Sequence, residues 1–247
     1  TRMGRAQERE LAEDVGRNAT ANPTMGEIIA TRFSRRDFLR GGAFALVALA
    51  TPAGAFERYH TGGEEMPHGI VTNPLVFVSI DPDGTVTLVA HRAEMGTGVR
   101  TSLPMVLADE MGADWDRVVV VQAPGDEPRF GNQDTDGSRS TRHYLIPMRQ
   151  IGAAARAMLE AAAAKKWGVP VTEVKAQNHE VVHSASGRKA GFGDLAADAA
   201  KEPVPDIKGL KLKEAKDFRY LGKGQVSIVD LHDITTGKAH YGADTRL

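Results

Sequence analysis

An α+β fold is predicted for this chain from three observations. Short β-branched runs alternate with longer stretches of helical spacing, the longest helical stretch is rich in alanine, and glycine, proline and aspartate punctuate the turns between them. With 247 residues and 41% hydrophobic content the chain can bury a core in one large or two ordinary domains.

Taken in order, Leu75 to Ala90 holds two β-branched-rich runs around Asp81-Pro82-Asp83-Gly84, which predicts a hairpin. Within Thr101–Met111, Leu103, Val106, Leu107 and Met111 recur at helical spacing; Pro104 is tolerable there only in a first turn, and Gly112 fits the stop. The run "RVVVVQA" at 117–123 has strand character between Trp115-Asp116 and Pro124-Gly125. After a polar loop from Gly125 to Gly137, a largely buried helix is expected from about Pro147 to Lys166. It places Ile151, Ala154, Met158 and Ala162 on one face, with Leu159 and Ala155 beside it. Short strands around Val174 and Val181–His183 and a helix near Asp194–Ala200 complete the pattern. Residues 201–217, proline-punctuated and lysine-rich, read as an extended linker separating a domain at 75–200 from a second unit at 218–247.

The N-terminal region reads as an address. "SRRDFLR" at 34–40 precedes an uncharged apolar block at 41–50, too short to span a bilayer but of signal-peptide length, and "AGA" at 53–55 offers small residues for cleavage after Ala55. The paired arginines predict twin-arginine export from a leader at 1–55, followed by a linker at 56–74. The competing reading of the block is a buried amphipathic helix with a charged start. Because the chain begins at Thr1 rather than methionine and ends at Leu247 within what reads as an element, a piece of a longer chain is expected. The net charge of −1 supplies no general attraction to nucleic acid or anionic membrane, and without cysteine the chain holds no disulfide, thiolate-bound zinc or iron–sulfur centre.

Two stretches are candidate ligand loops. In "EMGTGVRTSLPMVLADEMG" at 94–112, Gly96 and Gly98 flank Thr97 just before a helix, where glycine backbone freedom and helix N-terminal amides suit an anion or a polar cofactor edge. On spacing alone, two such glycines are more often a plain turn. In "GSRSTR" at 137–142, Gly137, Ser138, Arg139, Ser140 and Thr141 combine hydroxyls, amides and a guanidinium that suit a pyrophosphate, or else form an ordinary N-cap with solvated bases. His143, His179, His183, His232 and His240 show no helical i,i+4 pairing and read as surface or hydrogen-bonding residues; Asp126-Glu127, beside Pro128, read as solvated loop acids.

The succession of "DGTVTLVAHRAEMGTGVRTSLPMVLADEMGADWDRVVVVQAPGD", "GSRSTR" and an alanine-rich helix resembles the second molybdenum-cofactor-binding region of the xanthine dehydrogenase/aldehyde oxidase family. "DLHDITTGKAHYGAD" is similar to the opening of that family's α/β hammerhead domain. Cofactor half first and hammerhead second, behind a twin-arginine signal, is the order of the branch that includes isoquinoline 1-oxidoreductase large subunits and membrane-associated aldehyde dehydrogenases. The resemblance implies a molybdopterin-binding domain half followed by the start of a hammerhead domain. It also implies a hydroxylase of aldehydes or N-heterocycles that uses molybdenum on molybdopterin cytosine dinucleotide and water as oxygen source.

Electrons would pass to [2Fe-2S] clusters on a small partner subunit, with a c-type cytochrome suggested by the branch and a periplasmic location by the signal. By the same resemblance Gly96, Thr97 and Gly98 lie beside pterin and metal, and Gly137 to Thr141 hold the dinucleotide phosphates. Thr97 stands where the family turn usually has glutamine, and Asp136 where the branch commonly has a second glycine. The family's catalytic glutamate has no counterpart here, Glu94 being part of the cofactor turn, so the stretch alone is expected to be inactive. The alternative is a non-enzymatic exported interaction module derived from the same fold.

Overall fold

A computed structural model describes residues 58–59 and 69–246; the expected leader, with its twin-arginine signal and cleavage position, lies outside the described residues. The described residues up to Val229 form one compact unit, and those from Asp230 onward belong to another. Helices and small sheets mix as predicted for an α+β chain.

In the larger unit β1 (Arg58–Tyr59) pairs antiparallel with β2 (Ile70–Val71). Asn73 then caps one helical turn, α1 (Pro74–Phe77), by accepting the Leu75 amide at 2.9 Å. This corrects the strand expected from Leu75, because an asparagine cap followed by proline starts a helix and the extended run begins only at Val78. From there β3 (Val78–Ile80) and β4 (Val86–Ala90) form the expected antiparallel hairpin, with Gly84 at φ +91 in its turn.

α2 (Val99–Met111) returns the chain to β5 (Val118–Gln122), which pairs in parallel with β4 to give the order β3-β4-β5. The helix starts two residues before the expected Thr101, so Pro104 falls in its second turn. Burial of Pro104 with Leu103, Val106 and Leu107 outweighs the one helical bond its missing N–H forfeits. Gly112, at φ +83, ends the helix as expected.

After a short helix α3 (Glu127–Phe130), α4 (Arg139–Trp167) runs 29 residues. It begins at Arg139 rather than near Pro147 because Tyr144 and Met148 continue the buried face N-terminally, and packing again prevails over a proline within the helix. The predicted face is correct: Ile151, Ala154, Ala155 and Leu159 are fully buried, and Met158 and Ala162 nearly so. α4 lies against α2 at Gly152, where an added Cβ would meet the Leu107 carbonyl oxygen at 2.5 Å.

A second sheet, β6 (Val174–Gln177), β7 (Glu180–His183) and β8 (Lys189–Gly191), is antiparallel throughout and is followed by α5 (Phe192–Ala199); β8 was not expected. Its two-residue turn, Asn178-His179, has both φ values positive, as a tight hairpin requires. There the buried His179 accepts the Asp114 amide at Nδ1 (3.1 Å), so Nε2 donates to the Gly84 carbonyl oxygen at 2.6 Å. Burial lowers the His179 pKa against the opposing pull of that carbonyl.

Residues 201–221 form no strand, carry 3-10 turns at Ile207–Gly209 and Ala215–Asp217, and are strapped to the end of α2. The carboxylate of Asp109, 1% exposed, accepts the amides of Arg219 (3.1 Å), Tyr220 (2.8 Å) and Leu221 (3.0 Å). Glu110 accepts the Lys213 amide at 2.6 Å and pairs with Arg149 and Arg156. In the other unit the described residues form α6 (Leu231–Thr235) and a 3-10 turn at Gly242–Asp244. Among the described residues no helix is long and apolar enough to cross a membrane.

Candidate functional site

Because β4 and β5 are parallel, the loops after them leave from the same end of the sheet. The last rung is Ala90 against Gln122, extended by the Ala123 amide on the Ala90 carbonyl oxygen at 2.8 Å. One loop leads into α2 and the other, by way of α3, into α4, so two helix N-termini follow the carboxyl ends of adjacent strands. Ligands of open α/β sheets bind at such an edge. The two candidate stretches, Gly96–Gly98 and Gly137–Thr141, are thereby brought to one side of the fold. The Ala93 amide reaches the Gln133 carbonyl oxygen at 2.9 Å, and the Arg92 side chain reaches Ser140 at 3.0 Å.

The first loop is organised by its own acid. Glu94 Oε1 accepts the amides of Gly96 (2.7 Å) and Gly98 (3.0 Å), and Oε2 accepts that of Arg100 (2.9 Å). Partial burial disfavours the charge, but these amides and that of Thr97 prevail and hold the carboxyl below its usual range. The amides expected to face an external anion are thus largely occupied by Glu94. What the loop offers a ligand is an exposed edge at Met95, Gly96 and Thr97. Gly96, at φ +94, has nothing within 4 Å of a built Cβ, so its conformation rather than crowding demands glycine.

The second loop enters α4 through two consecutive left-handed residues, Gly137 (φ +44) and Ser138 (φ +57). For serine this conformation costs about 1 kcal/mol, and such local strain gathers at functional sites. As N-cap, Ser138 makes no side-chain bond to the helix; the Arg139 amide is taken by the Asp136 carbonyl oxygen at 2.7 Å, which leaves the Ser140 and Thr141 amides as the open ones of the first turn. A Cβ built at Gly137 meets nothing within 4 Å. Arg139 is taken by Asp136, with Nε on Oδ1 at 2.6 Å and Nη2 on Oδ2, so that carboxylate turns to an arginine. Its pKa is held down by that bond. Ser140, 5% exposed, has its Oγ between Arg92 and Thr135; Thr141 is exposed.

Beneath both loops lies a polar floor that sequence reading missed. Arg92, 1% exposed, donates from Nη1 to the Asn132 carbonyl oxygen at 2.6 Å and to its side-chain oxygen, and its guanidinium lies 4.6 Å from the centre of the Tyr144 ring. Tyr144 donates to the same Asn132 carbonyl oxygen at 3.1 Å, and burial pushes its hydroxyl up to about 12. His91 sits between Phe77 and Tyr144, and burial, aided by Arg92, lowers its pKa to about 3. Both His91 ring nitrogens, Arg92 Nη2 and Asn132 Nδ2 are buried without a hydrogen-bond partner among the described residues. The one sequence signal was a His-Arg pair directly after an apolar strand.

Other expectations fall elsewhere. His183, at the end of β7 in the second sheet, bonds Glu173 (2.9 Å) and Ser186 (2.7 Å). Asp126 caps α3 through the Arg129 amide, and Glu127 accepts the Gln133 amide at 3.1 Å. Both acids therefore have structural work in the loop.

Open amides at a long helix start, two glycines facing open space and a buried cation beneath them fit an anionic organic group with a polar edge. The architecture sets two helix starts beyond the carboxyl ends of a parallel strand pair, where a ligand site is expected. Residues 30–236 match the Molybdopterin cofactor-binding domain family, and the chain belongs to that family.

It is similar to isoquinoline 1-oxidoreductase subunit beta of Brevundimonas diminuta, 31% identical over 268 residues covering 92% of this chain and 33% of the relative. It is similar also to a membrane-bound aldehyde dehydrogenase [pyrroloquinoline-quinone] of Gluconacetobacter polyoxogenes, 31% identical over 250 residues, 99% of this chain and 30% of that one. Among solved structures, quinoline 2-oxidoreductase from Pseudomonas putida 86 aligns with a TM-score of 0.41 at 19% identity, over 53% of this chain and 17% of that chain. The chain thus spans about a third of the length of the curated relatives it matches.

Proposed function

We propose that this chain is the cofactor-holding part of the large subunit of an exported molybdenum hydroxylase. The enzyme oxidises an aldehyde or N-heterocycle with a water-derived oxygen and passes the electrons to [2Fe-2S] clusters on a small partner subunit. The observation that carries this is that the loops containing 94–98 and 137–141 leave the same edge of the sheet, tied by the Arg92–Ser140 bond, in a chain of the molybdopterin cofactor-binding family. The relatives' names, one an isoquinoline oxidoreductase and one an aldehyde dehydrogenase, support the two substrate classes. The arginine pair and apolar block at 34–50 support export by the twin-arginine route, hence a periplasmic protein.

When bound, a molybdenum–molybdopterin cofactor, here in its cytosine dinucleotide form, supplies the two-electron oxidation. This chain's residues bind and orient. The amides at the start of α4, with Gly137 and Ser138, would take the phosphates, the helix N-terminus favouring negative charge. Gly96, Thr97 and Gly98 would line the pterin's polar edge, the Thr97 hydroxyl standing where relatives of the family carry an amide. Glu94 holds this turn through its own carboxylate and is not available to carry a proton.

The test is composition. The full-length protein is purified with the molybdopterin pathway of its host intact and assayed for molybdenum, pterin and acid-released cytidine monophosphate. All three in near-equal amounts support the reading. Protein without molybdenum overturns it in favour of a non-enzymatic exported module, and a quinone in place of pterin assigns instead the cofactor in the Gluconacetobacter relative's name.

A further inference from the structure

We infer that Arg92 is a positioning residue that couples the two ligand loops, so that the phosphate-facing loop is held in its binding shape by a cation rooted in the other. The inference rests on the cofactor reading above and extends it to a residue outside both glycine motifs. Arg92 lies two residues beyond the end of β4, and its side chain crosses to the second loop. Nε holds Ser140 Oγ at 3.0 Å, while Nη1 holds the carbonyl oxygen of Asn132 at 2.6 Å and its side-chain oxygen. Its own carbonyl oxygen accepts Gln122 Nε2 at 3.1 Å, which ties the arrangement to the end of β5.

Two segments therefore converge on one guanidinium, whose fork geometry an ammonium does not reproduce, and a third on the carbonyl oxygen of the same residue. Among the described residues Arg92 forms no contact ion pair, Asp134 acting on its charge from longer range, and Nη2 is buried without a hydrogen-bond partner. A buried guanidinium without a contact carboxylate and with one N–H group unpartnered is costly for a fold that needs only packing there. Beneath two helix starts it adds positive potential where an anion is expected, which gives the cost a functional counterpart.

The test uses the full-length protein made with the cofactor pathway intact, as wild type, Arg92→Lys, Arg92→Gln, Ser140→Ala and the double variant Arg92→Lys/Ser140→Ala. Molybdenum and pterin per polypeptide are measured with the thermal midpoint of cofactor-stripped protein. Arg92→Lys keeps the charge and loses the fork; roughly tenfold lower cofactor content is expected, the size typical of residues that orient a ligand shell, with the stripped-protein midpoint little changed. Arg92→Gln loses the charge as well and is expected to hold less still. Ser140→Ala shifts content in the same direction, and the double variant falls no further than Arg92→Lys, because both act through one contact.

Cofactor content equal to wild type in Arg92→Lys overturns the inference while leaving the cofactor reading intact. Loss of content that only tracks a fall in the stripped-protein midpoint overturns it too, in favour of a purely structural role. Wild type free of molybdenum and pterin overturns both.

Discussion

Glu94 is an acid whose value to the fold depends on its charge. Its folded-state pKa lies below the ordinary value of 4.5, so between the two values the folded chain binds fewer protons than the unfolded one. Its contribution is therefore complete above about pH 4.5 and is lost as pH falls through the lowered folded value. Glu94→Gln is expected to cost about 1 kcal/mol at pH 7, with the difference from wild type shrinking toward acid. Urea midpoints of both proteins across pH 3 to 7 measure it.

His91 works in the opposite chemical sense but the same direction in pH. Neutral in the fold down to about pH 3 and ordinary at 6.5 when unfolded, it draws the chain toward unfolding as pH falls below 6.5. The slope approaches at most about 1.4 kcal/mol per pH unit. His91→Phe, which suits the ring contacts with Phe77 and Tyr144, should match or exceed wild type at pH 7 and widen its lead toward pH 5. An unchanged acid slope in that variant would show that the ring is not the group responsible.

Among the elements, the crossing of α2 and α4 is set by the missing side chain at Gly152. A methyl there would meet the Leu107 carbonyl oxygen and the Glu110 side chain, so Gly152→Ala must push the helices apart. The expected loss is roughly 1–3 kcal/mol by chemical denaturation, despite alanine's better helix propensity. The strap at 210–221 is held by buried acids rather than by an apolar stripe. Asp109→Ala removes the shared acceptor of the Arg219, Tyr220 and Leu221 amides. Hydrogen exchange at those amides should then rise well above wild type while exchange in the middle of α4 is unchanged; equal exchange at 219–221 would contradict the strap's anchorage.

For the whole molecule, the parallel pairing of β4 with β5 sends both candidate loops from one sheet edge, and Arg92 bonds across to the second of them. Cofactor loading is therefore expected to slow hydrogen exchange at 94–98 and 137–141 together. Protection confined to one loop would mean that the crevice does not act as a unit.

Local patterns in the sequence determined much of this. Helical spacing named the buried face of α4, since burial at 3.6-residue period leaves a direct trace in composition. Asp81–Gly84 named the hairpin, and glycines named both loops. Where local rules competed with burial they failed: Pro104 and Pro147 lie inside helices because the packed faces around them outweigh single lost bonds. Only the tertiary structure decided that β5 runs parallel to β4, that Glu94 fills its own turn, and that Arg92 lies beneath both loops. Each depends on contacts between residues far apart in the chain, or on which of several possible anions reaches a set of amides first. One chain's order of residues does not encode such choices in any local pattern; folding settles them by bringing the partners together in space.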